Sequence, residues 1–218
     1  MKPLNTTFVM FCLAITQSSV AAGLQPYTGP DFVATQQTSD QSAEPSKGTV
    51  YFSKAGNRVE FDTPIGKTMA GADFNTGKCW FASAGQKIYM EGDIDKKTGD
   101  CSADLNMGPP GGEIVGGLMA NEPCEGFASK KKMGNKNAAG RTTEQWGCRD
   151  PRAGEAMHWY DAKLKLVVKE ETPYTKDELI NIRFKKVDPG LFKTPKGFKR
   201  VDKNQFMQAL MSAAMPTR

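Results

Sequence analysis

Short runs in which hydrophobic and polar residues alternate recur along this chain between residues 31 and 184. Such runs are typical of strands with one buried and one solvated face. The connections between most of them are only a few residues long, which favours antiparallel neighbours because parallel strands need long crossovers. The predicted strands lie within residues 31–37, 49–53, 58–61, 79–82, 87–91, 141–146, 157–160, 164–169 and 179–184. The pattern predicts a mainly β (α+β) domain built on an antiparallel sheet.

Two segments depart from the strand pattern. Residues 107–117 (MGPPGGEIVGG) are too rich in Gly and Pro for a central strand, and we expect a long flexible loop between the two halves of the sheet. Residues 202–215 carry apolar residues at helical spacing, with Asp202 suited to the N-cap and Pro216 to the stop. These apolar residues are Phe206, Met207, Leu210, Met211 and Ala214. The sequence therefore predicts one amphipathic C-terminal helix docked on the sheet.

The first 22 residues have the pattern of a secretory signal peptide. Lys2 supplies a positive charge, residues 8–15 an apolar run, and residues 16–22 a small-residue stretch that ends before Gly23. The apolar run is about eight residues long, whereas roughly 20 are needed to span a bilayer. The alternative, a buried N-terminal helix, is disfavoured because nothing caps or continues it. We predict an exported protein, periplasmic or secreted, without a transmembrane segment.

Length and charge define the expected organisation. The 218 residues are predicted to divide into a cleaved signal (1–22), a flexible segment (23–30), one main domain (31–201) and a C-terminal helix and tail (202–218). Loss of Lys2 lowers the formal net charge from +5 to +4. Acidic and basic residues are interspersed, so no nucleic-acid partner is predicted. The lysines at 130–132 and 136 lie beside a Gly/Asn-rich turn, and we expect them at a solvated hairpin tip rather than in a phosphate-binding patch.

The cysteines predict two disulfides. Cys12 lies in the predicted signal, and the remaining four form an even set in an exported chain. Strands at 124–133 and 140–148, folded around residues 133–140, would place Cys124 almost opposite Cys148. Cys79 and Cys101 are then left to pair with each other. Zinc is the alternative, but the chain has no C-x-x-C pair and one His, so we predict no metal site.

The sequence contains no recognisable catalytic arrangement. His158 is the one histidine and lies in a predicted strand, where a structural role is expected. A serine hydrolase would need this residue, and the chain has no G-x-S-x-G motif. We therefore predict no catalytic residue, no cofactor and no enzymatic activity, and keep a hydrolase that uses His158 as the weaker alternative.

Large aromatic and methionine side chains on the predicted strands are candidates for an apolar ligand cavity. A curved sheet can hold an apolar guest against side chains of this kind. The candidate residues are Trp80, Tyr89, Met90, Trp146, Trp159 and Phe184. The alternative is that they belong to an ordinary core. The methionines of the C-terminal helix, Met207, Met211 and Met215, suit either an adaptable lid or a permanent plug.

Several of these segments together resemble a known family. They are GTVYF (48–52) with RVE (58–60), KIYME (87–91), WYDAKLKLVVKE (159–170), ELINI (178–182) and DPGLFKTPKGF (188–198). Over residues 31–201 the chain resembles bacterial envelope domains of unknown function related to the lipoprotein carriers LolA and LolB. The Leu-Phe-x-x-Pro-x-Gly-aromatic element is the most specific part, and Phe198 stands where Tyr is common. The four cysteines and the Gly/Pro-rich loop are not hallmarks of the carriers.

The resemblance implies both a shape and a function. The implied fold is an incomplete antiparallel barrel, wrapped over a helical or loop lid, with an apolar concave cavity that shelters acyl chains in the carriers. The predicted function is a non-enzymatic envelope binding protein for a lipid, an acyl chain or another hydrophobic ligand. The alternative is a structural or interaction module of the envelope, with a core filled by its own side chains and a protein partner.

Overall fold

The structure is a computed structural model that describes residues 27–40, 45–63, 65–94, 101, 118–151 and 154–214. The predicted signal peptide, half of the flexible segment (residues 23–26), the Gly/Pro-rich loop and residues 215–218, with Met215 and the predicted stop Pro216, lie outside the described residues. The strands are β1 Phe32–Asp40, β2 Ser46–Ser53, β3 Gly56–Thr63, β4 Gly66–Asp73, β5 Lys78–Ser83, β6 Ile88–Asp93, β7 Ser129–Ala138, β8 Arg141–Asp150, β9 Gly154–Asp161, β10 Leu166–Glu171, β11 Thr175–Phe184 and β12 Lys199–Arg200. A 3₁₀ helix spans Pro189–Phe192, and helix α1 spans Lys203–Ala214.

The twelve strands form one curved sheet that does not close. Their order is β12-β6-β5-β4-β3-β2-β1-β11-β10-β9-β8-β7. All neighbours are antiparallel except β12, which pairs in parallel with β6. The pairing of β1 with β11 joins the two halves of the sheet. The predicted mainly β fold, an incomplete antiparallel barrel with a C-terminal helix, is confirmed.

One face of the sheet, here called the inner face, carries the main apolar core. The core includes alternate residues of β1 to β6, such as Phe32, Val50 and Phe81, together with Leu166 of β10 and Leu179 of β11. Strands in a flat sheet lie about 4.8 Å apart, so residues on such distant strands meet only when the sheet curls around them. The curvature of the sheet therefore brings these core residues together, and their burial in turn stabilises the curved sheet.

The opposite face, here called the outer face, is closed by the segment that follows β11. Trp80 of β5 is buried there, and its indole Nε1 donates to the carbonyl of Phe192 over 2.7 Å. Arg58 donates from one Nη to the Leu191 carbonyl, and Phe198 packs against the Trp80 cluster. The Leu-Phe-x-x-Pro-x-Gly-aromatic element thus covers the outer face and leads the chain to the β12 edge.

The β7–β8 hairpin differs in register from the prediction. Its turn lies at Ala139 and Gly140, which have φ values of 55° and 70°, as a two-residue hairpin turn requires. Gly134, expected in the turn, is instead part of a bulge within β7. Cys148 is therefore paired with Lys130 rather than with Cys124.

Both predicted disulfide pairings are present despite the register error. Cα atoms are 5.9 Å apart in Cys79–Cys101 and 5.2 Å apart in Cys124–Cys148, within the range that a disulfide requires. Cys124 does not belong to β7. It lies in residues 118–128, here called the strap, which run across the sheet before β7 begins.

Candidate functional site

Helix α1 covers the inner face with few buried groups. Asp202 caps it as predicted, with Oδ1 accepting the Gln205 amide over 2.8 Å. Phe206 is fully buried and meets the ring of Phe81 edge-on at 6.1 Å, while Leu210 is only partly buried. The helix therefore rests on the core mainly through one aromatic side chain.

The strap covers the other half of the inner face. Its Leu118 and Met119 belong to the main core. The Met119 amide donates to the carbonyl of Val167 over 2.8 Å, and the Val167 amide donates to Ala120 over 2.9 Å. Strand β10 pairs with β11 only over Lys169–Glu171, so at Val167 the strap supplies the hydrogen bonds that a neighbouring strand would otherwise make.

A cleft of about 420 Å³ opens between the β7–β8 turn and β11. We call it the rim cleft; it is lined by Ala139, Gly140, Arg141, Glu178, Ile180, Asn181 and Ile182. Ala139 and Ile182 also pack against the main core, so the cleft adjoins the apolar interior. Its volume lies in the range of small-molecule sites, roughly 300–1,000 Å³.

The polar groups of the rim cleft are held by defined partners. Arg141 donates from Nε to the buried carboxylate of Asp161, and its guanidinium lies 5.2 Å from the ring centre of Phe184. Glu178 accepts the Ala139 amide over 2.9 Å, which ties the hairpin turn to β11. The cleft thus combines an isoleucine floor with one fixed cation and one fixed anion.

His158 lies beneath the strap and is fully buried. Its Nδ1 accepts the amide of Cys124 over 3.0 Å, so the ring proton sits on Nε2, which donates to Oε1 of Glu170 over 3.1 Å. Phe127 packs edge-on against the ring at 5.5 Å. Because both nitrogens are engaged inside the protein, the expected structural role fits these contacts better than general base catalysis.

The six predicted cavity residues are distributed over both faces of the sheet. Trp80 and Tyr89 share the outer-face cluster, whereas Met90 lies in the main core. Trp146 packs beside the Cys124–Cys148 disulfide. Trp159 is buried with the Lys169 ammonium 4.0 Å from its ring centre. Phe184 is exposed on 54% of its surface beside the rim cleft.

A single cavity lined by all six residues is therefore not what the structure shows. Successive side chains of a strand point to opposite faces, so Tyr89 and Met90 cannot line the same cavity. Contact between any one of them and a ligand stays a prediction. Phe184 lies beside the rim cleft, because its ring is in contact with Arg141, which lines the cleft.

Sequence reasoning missed the residues that form the rim cleft and the strap. Arg141, Glu178 and Ile182 belong to predicted strands or their ends, but their proximity depends on how β8 curls towards β11. The strap has no periodic pattern, and its place is fixed by contacts distant in sequence. The alternation of residues 179–184 marked this stretch as a strand, but β11 has a bulge between Ile180 and Ile182, where Asn181 has a φ of 54°. Alternation alone therefore could not place both isoleucines at the cleft.

Comparison with known proteins adds a likeness of fold. No protein-family model matches the chain, and the search of curated proteins found no match. An uncharacterised conserved protein from Thermus thermophilus superposes with a TM-score of 0.52 at 9% identity, covering 79% of this chain and 90% of that one. MucB in its complex with MucA from Pseudomonas aeruginosa gives 0.49 at 12% identity, covering 78% and 58%. A LolA superfamily protein from Nitrosomonas europaea gives 0.33 at 7% identity, covering 77% and 92%.

These likenesses concern the fold alone. The chain has the open, curved sheet and the inner-face helix that the resemblance to LolA-like envelope domains implied, so the implied fold is confirmed. Across the described ranges, no helix has both the length and the apolar character required to cross a bilayer.

Proposed function

We propose that this chain is an exported, non-enzymatic binding protein of the cell envelope that accepts a lipid, an acyl chain or another hydrophobic ligand against its inner face. The observation that carries the proposal is the weak cover of that face. An apolar core spread over eight strands is covered there by α1, in which Phe206 is the one buried side chain, and by the strap.

Replacement of α1 by a ligand is energetically reasonable. Burial of a phenylalanine contributes about 1.5–3 kcal/mol, and burial of one methylene contributes about 0.8 kcal/mol. Roughly two to four methylenes therefore offset the loss of Phe206 from the core. Helix α1 would act as a lid that an acyl chain displaces, and its exposed Met211 suits contact with a variable partner.

The rim cleft offers a second element of the proposed site. Its isoleucine floor adjoins the core, and Arg141 stands at its wall with Nε paired to Asp161. A ligand whose apolar end enters the interior here would leave its polar end near the guanidinium. The exported location is supported by the signal-like residues 1–22 and by the two disulfides, which persist in oxidising compartments.

A self-filled interaction module is the second candidate function. It is favoured by the burial of Phe206, Leu118 and Met119, which fill the inner side with the protein's own side chains. In that case α1 and the strap would be permanent parts of the core. An envelope protein would then bind elsewhere on the surface.

Native mass spectrometry of protein purified gently from expressing cells tests the proposal. We expect a bound mass that organic extraction removes and that is identified as a lipid or other hydrophobic molecule. Protein that is free of ligand, and that does not bind a fluorescent fatty acid after delipidation, would favour the interaction module.

Variants sharpen this test. Ile182→Asp places a charge on the floor of the cleft and is expected to weaken fatty-acid binding at least tenfold. Asp202→Ala removes the N-cap of α1, at a cost of about 1 kcal/mol, and should speed ligand uptake by loosening the lid. Tyr174→Ser is the matched control, because this exposed side chain lies in the β10–β11 turn. An equal loss in Ile182→Asp and Tyr174→Ser would argue against the site.

A further inference from the structure

The disulfide that ties the strap to β8 lies beside a third group that can bind a metal ion. The Sγ atoms of Cys124 and Cys148 and a ring nitrogen of His158 all lie within 4.8 Å of one another, and all three residues are buried. Among the described residues, this is the one such group of three His, Cys, Asp or Glu side chains. A structural disulfide does not require a histidine beside it.

The hydrogen bonds of His158 prepare one nitrogen for coordination. Nε2 donates to Glu170, which leaves the lone pair on Nδ1. In the oxidised protein that lone pair accepts the amide of Cys124 over 3.0 Å, so a metal ion at Nδ1 would take the place of this hydrogen bond. A histidine that coordinates a metal through one nitrogen usually donates from the other to a carboxylate, which orients the ring. Glu170 already holds this second position.

We propose that reduction of the Cys124–Cys148 disulfide creates a binding site for a thiophilic d-block cation such as Zn²⁺. The ligands are the two thiolates and Nδ1 of His158, with Glu170 as the positioning residue and a fourth coordination position left for water. A zinc ion bound at about 2.3 Å to sulfur and 2.0–2.1 Å to nitrogen holds its ligand atoms roughly 3.5–4 Å apart. The two sulfur atoms are bonded to each other in the disulfide and would move apart after reduction, and a ring nitrogen of His158 lies within 4.8 Å of both.

The redox step is an ordinary thiol–disulfide exchange. A dithiol reductant attacks one sulfur, the S–S bond breaks, and a second exchange releases the reductant as its own disulfide. Two electrons and two protons thereby pass to Cys124 and Cys148. Metal binding then replaces the two thiol protons, which are released to solvent. The disulfide and the metal site are therefore mutually exclusive states of the same two sulfur atoms.

The fold holds two of the three proposed ligands firmly and leaves the third able to move. Cys148 and His158 lie on the adjacent strands β8 and β9 and are fixed by the sheet. Cys124 lies in the strap, outside any strand, with a φ of 57°. The strap can adjust its Sγ towards a metal without a change in sheet register. In metal-bound protein the strap is then held by coordination instead of by the disulfide.

The second disulfide serves as an internal control. Cys79 lies in the main apolar core, and its partner Cys101 packs against that core. No group of three metal-binding side chains includes either residue within the described part of the chain. Reduction of this pair is therefore not expected to create a comparable site.

Cobalt titration of reduced protein tests the proposal. The full mature chain is reduced, freed of reductant under anaerobic conditions and titrated with Co²⁺, while circular dichroism records its fold. We expect one equivalent to bind with thiolate-to-cobalt charge-transfer bands and the d–d bands of a tetrahedral site, and oxidised protein to show neither. Reduced protein that keeps its fold but gives no such bands overturns the proposal, and so does reduced protein that unfolds and is not refolded by Co²⁺ or Zn²⁺.

Variants assign the ligands. The bands should persist in Cys79→Ser/Cys101→Ser and disappear in Cys124→Ser/Cys148→Ser. His158→Asn keeps an acceptor for the Cys124 amide but removes the imidazole, and it should change the d–d bands and weaken binding at least tenfold. Glu170→Gln should weaken binding about 10–100-fold without altering the charge-transfer bands. Bands that survive in Cys124→Ser/Cys148→Ser, or an unchanged affinity in His158→Asn, would refute the site.

Discussion

At the scale of single residues, Asp161 connects the local backbone to the candidate site. Its Oδ1 accepts the amides of Lys163 and Leu164 over 2.8 and 3.0 Å, which shapes the β9–β10 turn. Its Oδ2 accepts from Nε of Arg141 and so fixes the guanidinium at the rim cleft. One carboxylate that is 2% exposed therefore determines both a turn and the position of the cation.

Replacement of Asp161 by Asn should lower stability in a pH-dependent way. Burial raises the pKa of Asp161, but the hydrogen bonds from Arg141 and the two turn amides outweigh it, so the pKa lies below the ordinary 3.8. The lowered pKa stabilises the folded state above about pH 4, and this contribution is lost as the pH falls further. Asp161→Asn should cost about 2–3 kcal/mol at pH 7 and flatten the acid limb of stability against pH, as measured by urea unfolding.

The control for this prediction is an exposed ion pair. Asp93 pairs with Lys78, but its side chain is 73% exposed. Asp93→Asn should therefore change the free energy of unfolding by no more than about 0.5 kcal/mol. A loss as large in Asp93→Asn as in Asp161→Asn would show that the effect is not due to the buried contacts.

At the scale of elements, strand prediction succeeded where large apolar residues alternate and failed where small ones do. The predicted segment 179–184 lies in β11 because Leu179, Ile180 and Ile182 give a clear pattern. Strand β4 was missed because its sequence, GKTMAGAD, has few large apolar residues. The small residues of β4 are explained by tertiary packing. Gly71 lies opposite Trp80 of β5, and the indole occupies the space that a side chain at position 71 would fill. The size of this partner cannot be read from β4 itself.

The strap and the β7–β8 register show the same limit. The predicted cysteine pairs are correct, but a hairpin with the wrong turn led to them. The strap is placed by Val167, His158 and Cys148, which lie at least 24 residues from their partners in it. Local patterns predict strands and caps, such as that of Asp202. They do not predict which distant residues will form the hydrogen bonds and the disulfide that hold an irregular segment in place.

Gly71→Ala tests the close packing of β4 on β5. A Cβ at this position would lie 2.4 Å from Cζ2 of Trp80, so the indole must move away from the Phe192 carbonyl. We expect a loss of about 1–3 kcal/mol in the free energy of unfolding, with a shift in tryptophan emission. Gly147→Ala in β8 is the control, since its nearest atom, Sδ of Met157, is 3.8 Å from the new Cβ. Equal stability of the two variants would contradict this packing.

At the scale of the whole molecule, the two halves of the sheet depend on one long-range strand pair. Strands β1 and β11 join them, and Thr38 of β1 donates to Asp177 of β11 across a separation of 139 residues. Such non-local pairing slows folding because loop closure must precede the contacts that reward it. The half-buried carboxylate of Asp177 at this junction therefore affects the stability of the entire sheet.

The ionised carboxylate of Asp177 should lower the free energy of unfolding at neutral pH. Burial raises its pKa above the ordinary 3.8; the hydrogen bond from Thr38 opposes this shift, and Glu170, directly opposite on β10, adds to it. The folded protein thus holds this proton more tightly than the unfolded chain. The free energy of unfolding should fall as the pH rises from about 4 through the folded-state pKa.

Asp177→Asn keeps the acceptor for Thr38 and removes the charge. The variant should unfold at a higher urea concentration than the wild type at pH 7, and the difference should vanish below pH 4, where the wild-type carboxyl is protonated. Asp62→Asn, at an exposed position of β3, should leave the midpoint unchanged at both pH values. If Asp177→Asn is instead less stable than the wild type at pH 7, the hydrogen bonds of the ionised carboxylate contribute more to stability than its burial costs. The charge of Asp177 would then stabilise the junction between the two halves of the sheet.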